Sequence, residues 1–257
     1  MKAKKSYGQH FLINESLAES IVLEALNVDP DLPILEVGPG KGVLTKHLIK
    51  SGRQWKAIEA DRDMIAHLNE HYDIGDNQLI EADFLKVRLE EVFDKRSFIL
   101  LGNFPYNISS QIIFKAIKYQ DLIPNIIGMF QKEVADRIIA GHGSKTYGAI
   151  SVLTQVFYKG KTIFKVSPGS FNPPPKVQSS VIHLKQEPSF PEKVELSTFK
   201  TIVKTSFGQR RKMLRNTLKP LVTEQSLAES ELFSKRPEQL SVQDFIQLTI
   251  DIQNQTK

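Results

Sequence analysis

Ile34-Leu35-Glu36-Val37-Gly38-Pro39-Gly40-Lys41-Gly42, followed by Leu44, Leu48 and Ile49 at helical spacing, decides how the rest of this chain is read. Pro33 bounds the apolar run on one side and a glycine turn bounds it on the other, the pattern of a buried strand passing into a helix. Glycines at such a junction let backbone approach a ligand closely and aim the helix N–H groups at it. A plain tight turn uses the same residues, so the turn alone names no ligand.

Downstream, Trp55-Lys56-Ala57-Ile58 is a second short strand ending in Glu59. A carboxylate about 20 residues past the glycine turn, at a strand tip, can accept both hydrogen bonds of a ribose diol. Asp61 suits the N-cap of a helix carrying Met64, Ile65 and Leu68. Gln78–Glu81 makes a third strand, with Asp83 and Phe84 just beyond it. Upstream, Met1–Leu12 has no period and reads as an arm, while Asn14 is placed to cap a helix through Leu17, Ile21 and Leu26. NAD(P) proteins carry GxGxxG, whereas class I S-adenosylmethionine enzymes carry an acidic residue and then GxGxG. Glu36-x-Gly38-x-Gly40-x-Gly42 favours the second.

A fourth strand, Phe98-Ile99-Leu100-Leu101, empties into Gly102-Asn103-Phe104-Pro105-Tyr106-Asn107. The carboxyl ends of strands are where open α/β sheets bind ligands. Asn103 supplies a side-chain carbonyl, the peptide before Pro105 has a carbonyl and no competing N–H, and Tyr106 offers a face for stacking. Together they suit a planar group bearing an NH2.

Further on, Ile112, Ile113, Ala116 and Ile117 share a helix face, Ile126–Phe130 is another buried strand, and Gln131-Lys132-Glu133 opens a helix. His142–Tyr147 reads as a mobile loop. Ile150–Tyr158 and Val177–Leu184 are rich in β-formers. Between them lies a basic loop with Phe171 ahead of Pro173-Pro174-Pro175; Phe171 is either a core plug or a second stacking face opposite Tyr106. Pro188 and Pro191 among polar residues mark a boundary, giving a domain over 1–187 with its arm (1–12) and a helical domain over 188–257. In the second, Phe207–Leu218 mixes apolar residues with Arg210, Arg211, Lys212 and Arg215, placed on a helix start where they suit phosphate contacts.

The 257 residues are 40% hydrophobic, enough for a real core. There is no cysteine, which excludes disulfides, thiolate metal sites and cysteine nucleophiles. The six histidines show no metal-binding spacing, and no apolar run is long enough to span a bilayer, so no metal, no membrane and a cytoplasmic location are expected. A net charge of +5, concentrated at Lys4 and Lys5, at Lys159–Lys165 and at Arg210–Lys219, leans toward a polyanionic partner.

These motifs resemble the rRNA adenine dimethyltransferases. Asn103-Phe104-Pro105-Tyr106 is similar to the (N/D)-P-P-(Y/F) motif of enzymes that methylate exocyclic amines. Gly8-Gln9-His10-Phe11-Leu12, Gln131–Ala135 and Phe171–Val177 match further segments of the family, and Gln209–Asn216 resembles its small-subunit branch rather than the large-subunit resistance methylases. His10 and Phe104 depart from the commoner Asn and Leu.

The resemblance implies a Rossmann-like, mostly parallel seven-stranded sheet with a small all-helical carboxyl-terminal domain. It implies S-adenosylmethionine held by His10, Leu12, Gly38, Gly40, Glu59, Asp83, Phe84 and Asn103. Asn103, Pro105, Tyr106 and Phe171 would form the catalytic site, and Lys4, Lys5, Arg210, Arg211, Lys212 and Arg215 would bind RNA. The implied substrate is a pair of adjacent adenosines in the terminal hairpin loop of small-subunit rRNA, met by a monomer in a pre-ribosomal particle. Rival readings are a large-subunit rRNA methylase, an assembly factor acting by binding, and an NAD-dependent oxidoreductase.

Overall fold

The structure, a computed structural model, describes residues 10–187, 190–223 and 230–255. Lys4, Lys5, Gly8 and Gln9 of the expected arm lie outside the described residues. In chain order the elements are β1 (Phe11–Leu12), α1 (Glu15–Val28), β2 (Ile34–Val37), α2 (Thr45–Ser51), β3 (Trp55–Glu59), α3 (Arg62–His71), β4 (Leu79–Glu81) and β5 (Ile99–Asn103). There follow α4 (Ser109–Lys118), β6 (Asn125–Gln131), α5 (Lys132–Ile139), α6 (Ala149–Gln155), β7 (Tyr158–Val166), β8 (Phe171–Asn172) and β9 (Ser179–Gln186). The carboxyl-terminal helices are α7 (Leu196–Gly208), α8 (Leu214–Thr217), α9 (Glu231–Ser234) and α10 (Val242–Asn254).

Seven strands form one sheet in the order β4-β3-β2-β5-β6-β9-β7. The run from β4 to β6 is parallel, and β9 joins β6 antiparallel. The chain builds outward from β2 to β4 and then returns to β5 on the other side of β2. That reversal opens a crevice between the carboxyl ends of β2 and β5. The strands beside it read as near-continuous apolar runs because helices cover both faces. Ile34, Leu35, Ile99, Leu100 and Leu101 are fully buried, each worth about 1.5–3 kcal/mol relative to exposure. Asn14 and Asp61 cap their helices as expected, accepting from the Leu17 and Asp63 amides.

The chain divides into two compact units. The first runs to Ala135 and includes Gly160–Gln186; the second is Asp136–Lys159 with the residues from Glu187 onward. Residues 136–159, assigned from sequence to the first domain, therefore group with the second unit. In that unit α7 buries Phe199, Ile202 and Val203, and α10 buries Phe245, Leu248 and Ile252.

Three local expectations are corrected. The fourth strand continues through the glycine that was read as its end, because Gly102 pairs with Gly128 across β5 and β6. Ile150–Tyr158 is largely the helix α6, whose Ser151–Thr154 turn is wholly buried; a short helix buried all round has the composition of a strand and no polar face to reveal its period. The basic run after Phe207 does not start a helix. Gly208 ends α7, and Gln209–Arg211 form a turn before α8.

Candidate active site

The glycine turn after β2 takes left-handed backbone at Gly38, Gly40 and Gly42, with φ of 67°, 56° and 80°. A Cβ at Gly42 would stand 2.6 Å from the Tyr72 ring, so side chains are excluded there by space as well as by φ. Tyr72 in turn donates its hydroxyl to the Lys41 carbonyl at 3.1 Å. Gly38 faces Pro105, bringing the motif after β5 against this turn. Both line one cleft of about 410 Å³, together with residues from β1, the tip of β3 and the segment after β4. This lies within the roughly 300–1,000 Å³ of small-molecule sites.

Of the expected cofactor residues, His10, Leu12, Gly38, Gly40, Glu59, Asp83, Phe84 and Asn103 all line this cleft. Glu59 is 7% exposed. Its carboxylate accepts from the Gly40 amide at 3.0 Å and from the Ala60 and Asp61 amides, each at 2.9 Å. Burial raises its pKa, and these three amides act in the opposite direction. Three donors leave about one of its lone-pair sites, so accepting both hydroxyls of a diol requires it to release one backbone donor. Asp83 commits Oδ1 to the Leu85 amide at 2.9 Å, with Oδ2 3.8 Å from the Lys86 ammonium.

Sequence reasoning used Glu36 only as part of the glycine-turn fingerprint and missed Lys115 altogether. Buried Glu36 accepts from the Thr45 hydroxyl at 2.8 Å, and burial pushes its carboxyl up to about 8. Lys115 of α4 donates to the Phe84 carbonyl at 2.5 Å and to the Val87 carbonyl, and sits over the Phe84 ring. Lys115→Met should therefore loosen the Asp83–Phe84 segment and weaken S-adenosylmethionine binding about tenfold, or about 1.4 kcal/mol. Calorimetric titration of the variant checks this; an unchanged Kd would remove Lys115 from the site.

The Asn103–Tyr106 motif is held from four sides. Asn103 Nδ2 donates to the His10 carbonyl at 3.1 Å, which can only accept, so the amide's orientation is fixed and Oδ1 is left free. The His10 ring bonds the Pro173 carbonyl at 2.9 Å through Nδ1 and stacks on Tyr106 at 5.4 Å. Tyr106 shares a 2.6 Å hydrogen bond with the Ser179 hydroxyl, and burial raises the pKa of its phenol. Pro105 O accepts from Ile108, closing the turn. Neither Asn103 Oδ1 nor Phe104 O accepts a hydrogen bond among the described residues. Two adjacent acceptors are thereby left open in the cleft.

Phe171 is not brought to this cleft. It is 2% exposed within the apolar core, alongside Leu12 and Ile34, and the β1–β8 register pairs it with Leu12. Its core reading holds, and no free Phe171 face lies opposite Tyr106. In the second unit, Arg211, Lys212 and Arg215 are exposed. Arg210 instead binds the Lys145 and Ser144 carbonyls at 2.7 and 3.1 Å, which, with the Gly143 amide on Glu238 O, ties down the segment expected to be a mobile loop. Among the described residues no cluster of side chains could hold a metal ion, and no helix is long and apolar enough to cross a membrane.

Comparison with known proteins agrees with this geometry. Residues 1–253 match the family model described as ribosomal RNA adenine dimethylase. "Ribosomal RNA small subunit methyltransferase A" of Phocaeicola vulgatus is 50% identical, covering 98% of this chain and 90% of that one. Its namesake from Flavobacterium johnsoniae is 46% identical over 98% and 97%. Among solved structures, a dimethyladenosine transferase from Plasmodium falciparum superposes with a TM-score of 0.78 at 26% identity, covering 96% of this chain and 98% of that one. The 23S rRNA methyltransferase ErmE shares the fold, with a TM-score of 0.64 at 23% identity over 93% and 99%. The fold is that of class I S-adenosylmethionine-dependent methyltransferases, and S-adenosylmethionine is the cofactor. With a full-length family match and close relatives over the same span, the chain belongs to the ribosomal RNA adenine dimethylase family.

Proposed function

We propose that this protein dimethylates the N6 amines of two adjacent adenosines in the 3′-terminal hairpin loop of small-subunit rRNA, within a pre-ribosomal particle, during small-subunit biogenesis. The observation that carries the chemistry is the pair of open acceptors, Asn103 Oδ1 and Phe104 O, beside the glycine turn. Bound S-adenosylmethionine supplies a methyl group on a positively charged sulfur. The adenine amine is a poor nucleophile because its lone pair is delocalised into the ring. Accepting its two hydrogens at Asn103 and Phe104 favours a pyramidal nitrogen and turns the lone pair toward the cofactor side of the cleft. Orientation and preorganised acceptors supply the rate, and no strong base is needed because the methylated amine is itself acidic.

Tyr106 offers the target base a stacking surface, and His10 already covers part of it. A hairpin loop suits such a site because its bases can be splayed out and stacked. The exposed Arg211, Lys212 and Arg215 suit phosphate contacts that position RNA without reading its sequence. Lys4 and Lys5 are proposed for the same role. We further infer a cytoplasmic monomer that needs no metal. Mass mapping of fragments from methylated small-subunit RNA tests the substrate. Dimethyladenosine at two adjacent positions of the terminal hairpin is expected; modification elsewhere would redirect the proposal.

A further inference from the structure

Glu36 is the most deeply buried charged residue lining the cleft. It sits on β2, the central strand at the switch point, is 1% exposed, and lines the cleft floor where β2 meets the glycine turn. The Thr45 hydroxyl is the one hydrogen-bond donor to its carboxyl group among the described residues. Thr45 occupies one oxygen and leaves the other without a protein partner. An ionised carboxylate so deeply buried with one donor and no counter-cation is costly, whereas a neutral carboxyl group in the same place is not.

The surrounding charges sharpen that imbalance. From β3, Glu59 adds a second carboxylate whose field acts against ionisation of Glu36. From the end of α3, Tyr72 is electrostatically coupled to Glu36 and is itself held on Lys41. Lys41 has its ammonium 4.9 Å from the centre of the Phe11 ring, and Lys46 of α2 is paired with Glu15. Asp83, in the segment after β4, also lines the cleft, and its own contacts are the Leu85 amide and Lys86. β5 presents the apolar Leu101 opposite Glu36.

We propose that Glu36 is a charge sensor for the cofactor: it is neutral in the free protein and releases its proton into solvent when a cationic ligand enters the cleft. This rests on the reading of the protein as an S-adenosylmethionine-dependent methyltransferase. The positive charges of that ligand, on its ammonium and its sulfur, supply the counter-cation that Glu36 lacks. The upward displacement of the Glu36 pKa to about 8 agrees with a neutral resting form. The sign follows directly. Binding favours the ionised form, so affinity falls as pH drops below about 8, by roughly tenfold per unit.

Calorimetric titration of the full chain at pH 7, repeated in buffers of different ionisation enthalpy, counts the protons released. S-Adenosylmethionine should release about one. 5′-Methylthioadenosine carries the adenosine and a neutral sulfur without the amino-acid tail, and should bind with no release. Glu36→Gln keeps the size and an acceptor for Thr45; it should bind S-adenosylmethionine without proton release and with an affinity flat from pH 6 to 8. Equal release by both ligands would place the proton on a group other than Glu36, such as Glu59, and overturn the proposal, as would undiminished release in the variant or none in the parent protein. Failure of the parent protein to bind S-adenosylmethionine at all would instead remove the cofactor reading.

Discussion

Asn103→Ala is expected to lower the rate of methyl transfer by about 10²–10³-fold, the range for loss of one preorganised polar contact to a reacting centre. S-Adenosylmethionine should still bind, within about tenfold of the parent affinity, because the glycine turn, Glu59 and Asp83 remain in place. The substitution also removes the tie from Nδ2 to the His10 carbonyl, so a second variant separates the two effects. Asn103→Asp keeps the acceptor oxygens and loses the donor to His10. If acceptance at position 103 drives the chemistry, the Asp variant retains more transfer than the Ala variant under single-turnover conditions. Near-parental turnover of Asn103→Ala would sink the mechanism.

The second large effect is expected from Gly128, which does not line the cleft but packs behind a residue that does. Phe104 is buried, with its ring 5.1 Å from Phe130 in an edge-to-face arrangement. The ring occupies space left by two paired glycines. A Cβ built on Gly102 would come 2.7 Å from it, and one on Gly128 would come 2.3 Å from it. Gly128→Ala therefore drives the ring outward, at about 1–3 kcal/mol for overpacking. The ring is buried against Phe130, so little room is left for it to rotate away, and part of the displacement falls on its own backbone, which carries the open carbonyl next to Asn103. A fall in kcat of about tenfold or more is expected with little change in cofactor affinity, since small misplacements of reacting groups are costly.

The double variant Gly128→Ala with Phe104→Leu tests whether this loss runs through position 104. A smaller side chain gives the new methyl group room, so the double variant should recover most of the rate lost by Gly128→Ala. Activity that stays low in the double variant despite a restored melting temperature would show that Gly128 acts by some other route. Parental activity in Gly128→Ala itself would show that the motif does not depend on this packing.

Much of this site was legible in the sequence because its signals are local. The run Ile34–Val37, the glycines after it and the spacing of Leu44, Leu48 and Ile49 specify strand, turn and helix within one short segment. Asn14 and Asp61 announced their helices by cap chemistry, and Glu59, Asp83 and Asn103 fell where strands end. What the sequence hid is set by pairing between distant segments. Phe171 is buried because β8 pairs with β1, and no periodicity in a proline-rich loop contains that register. Arg210 looks like a free cation until the Ser144 and Lys145 carbonyls are brought to it. Lys115 is a further polar residue on an amphipathic helix until its ammonium meets the Phe84 and Val87 carbonyls. Gly128 and Gly102 gain their meaning together, across two strands, around one ring.

The central claim is that the cleft between β2 and β5 methylates adenosine in small-subunit rRNA. Transfer of labelled methyl from S-adenosylmethionine tests it most directly, using small ribosomal subunits from cells lacking this modification beside mature small subunits and protein-free large-subunit RNA. The account predicts label on the unmodified small subunits alone, recovered as dimethyladenosine. Label on the large-subunit RNA, or on none of the three, would contradict it.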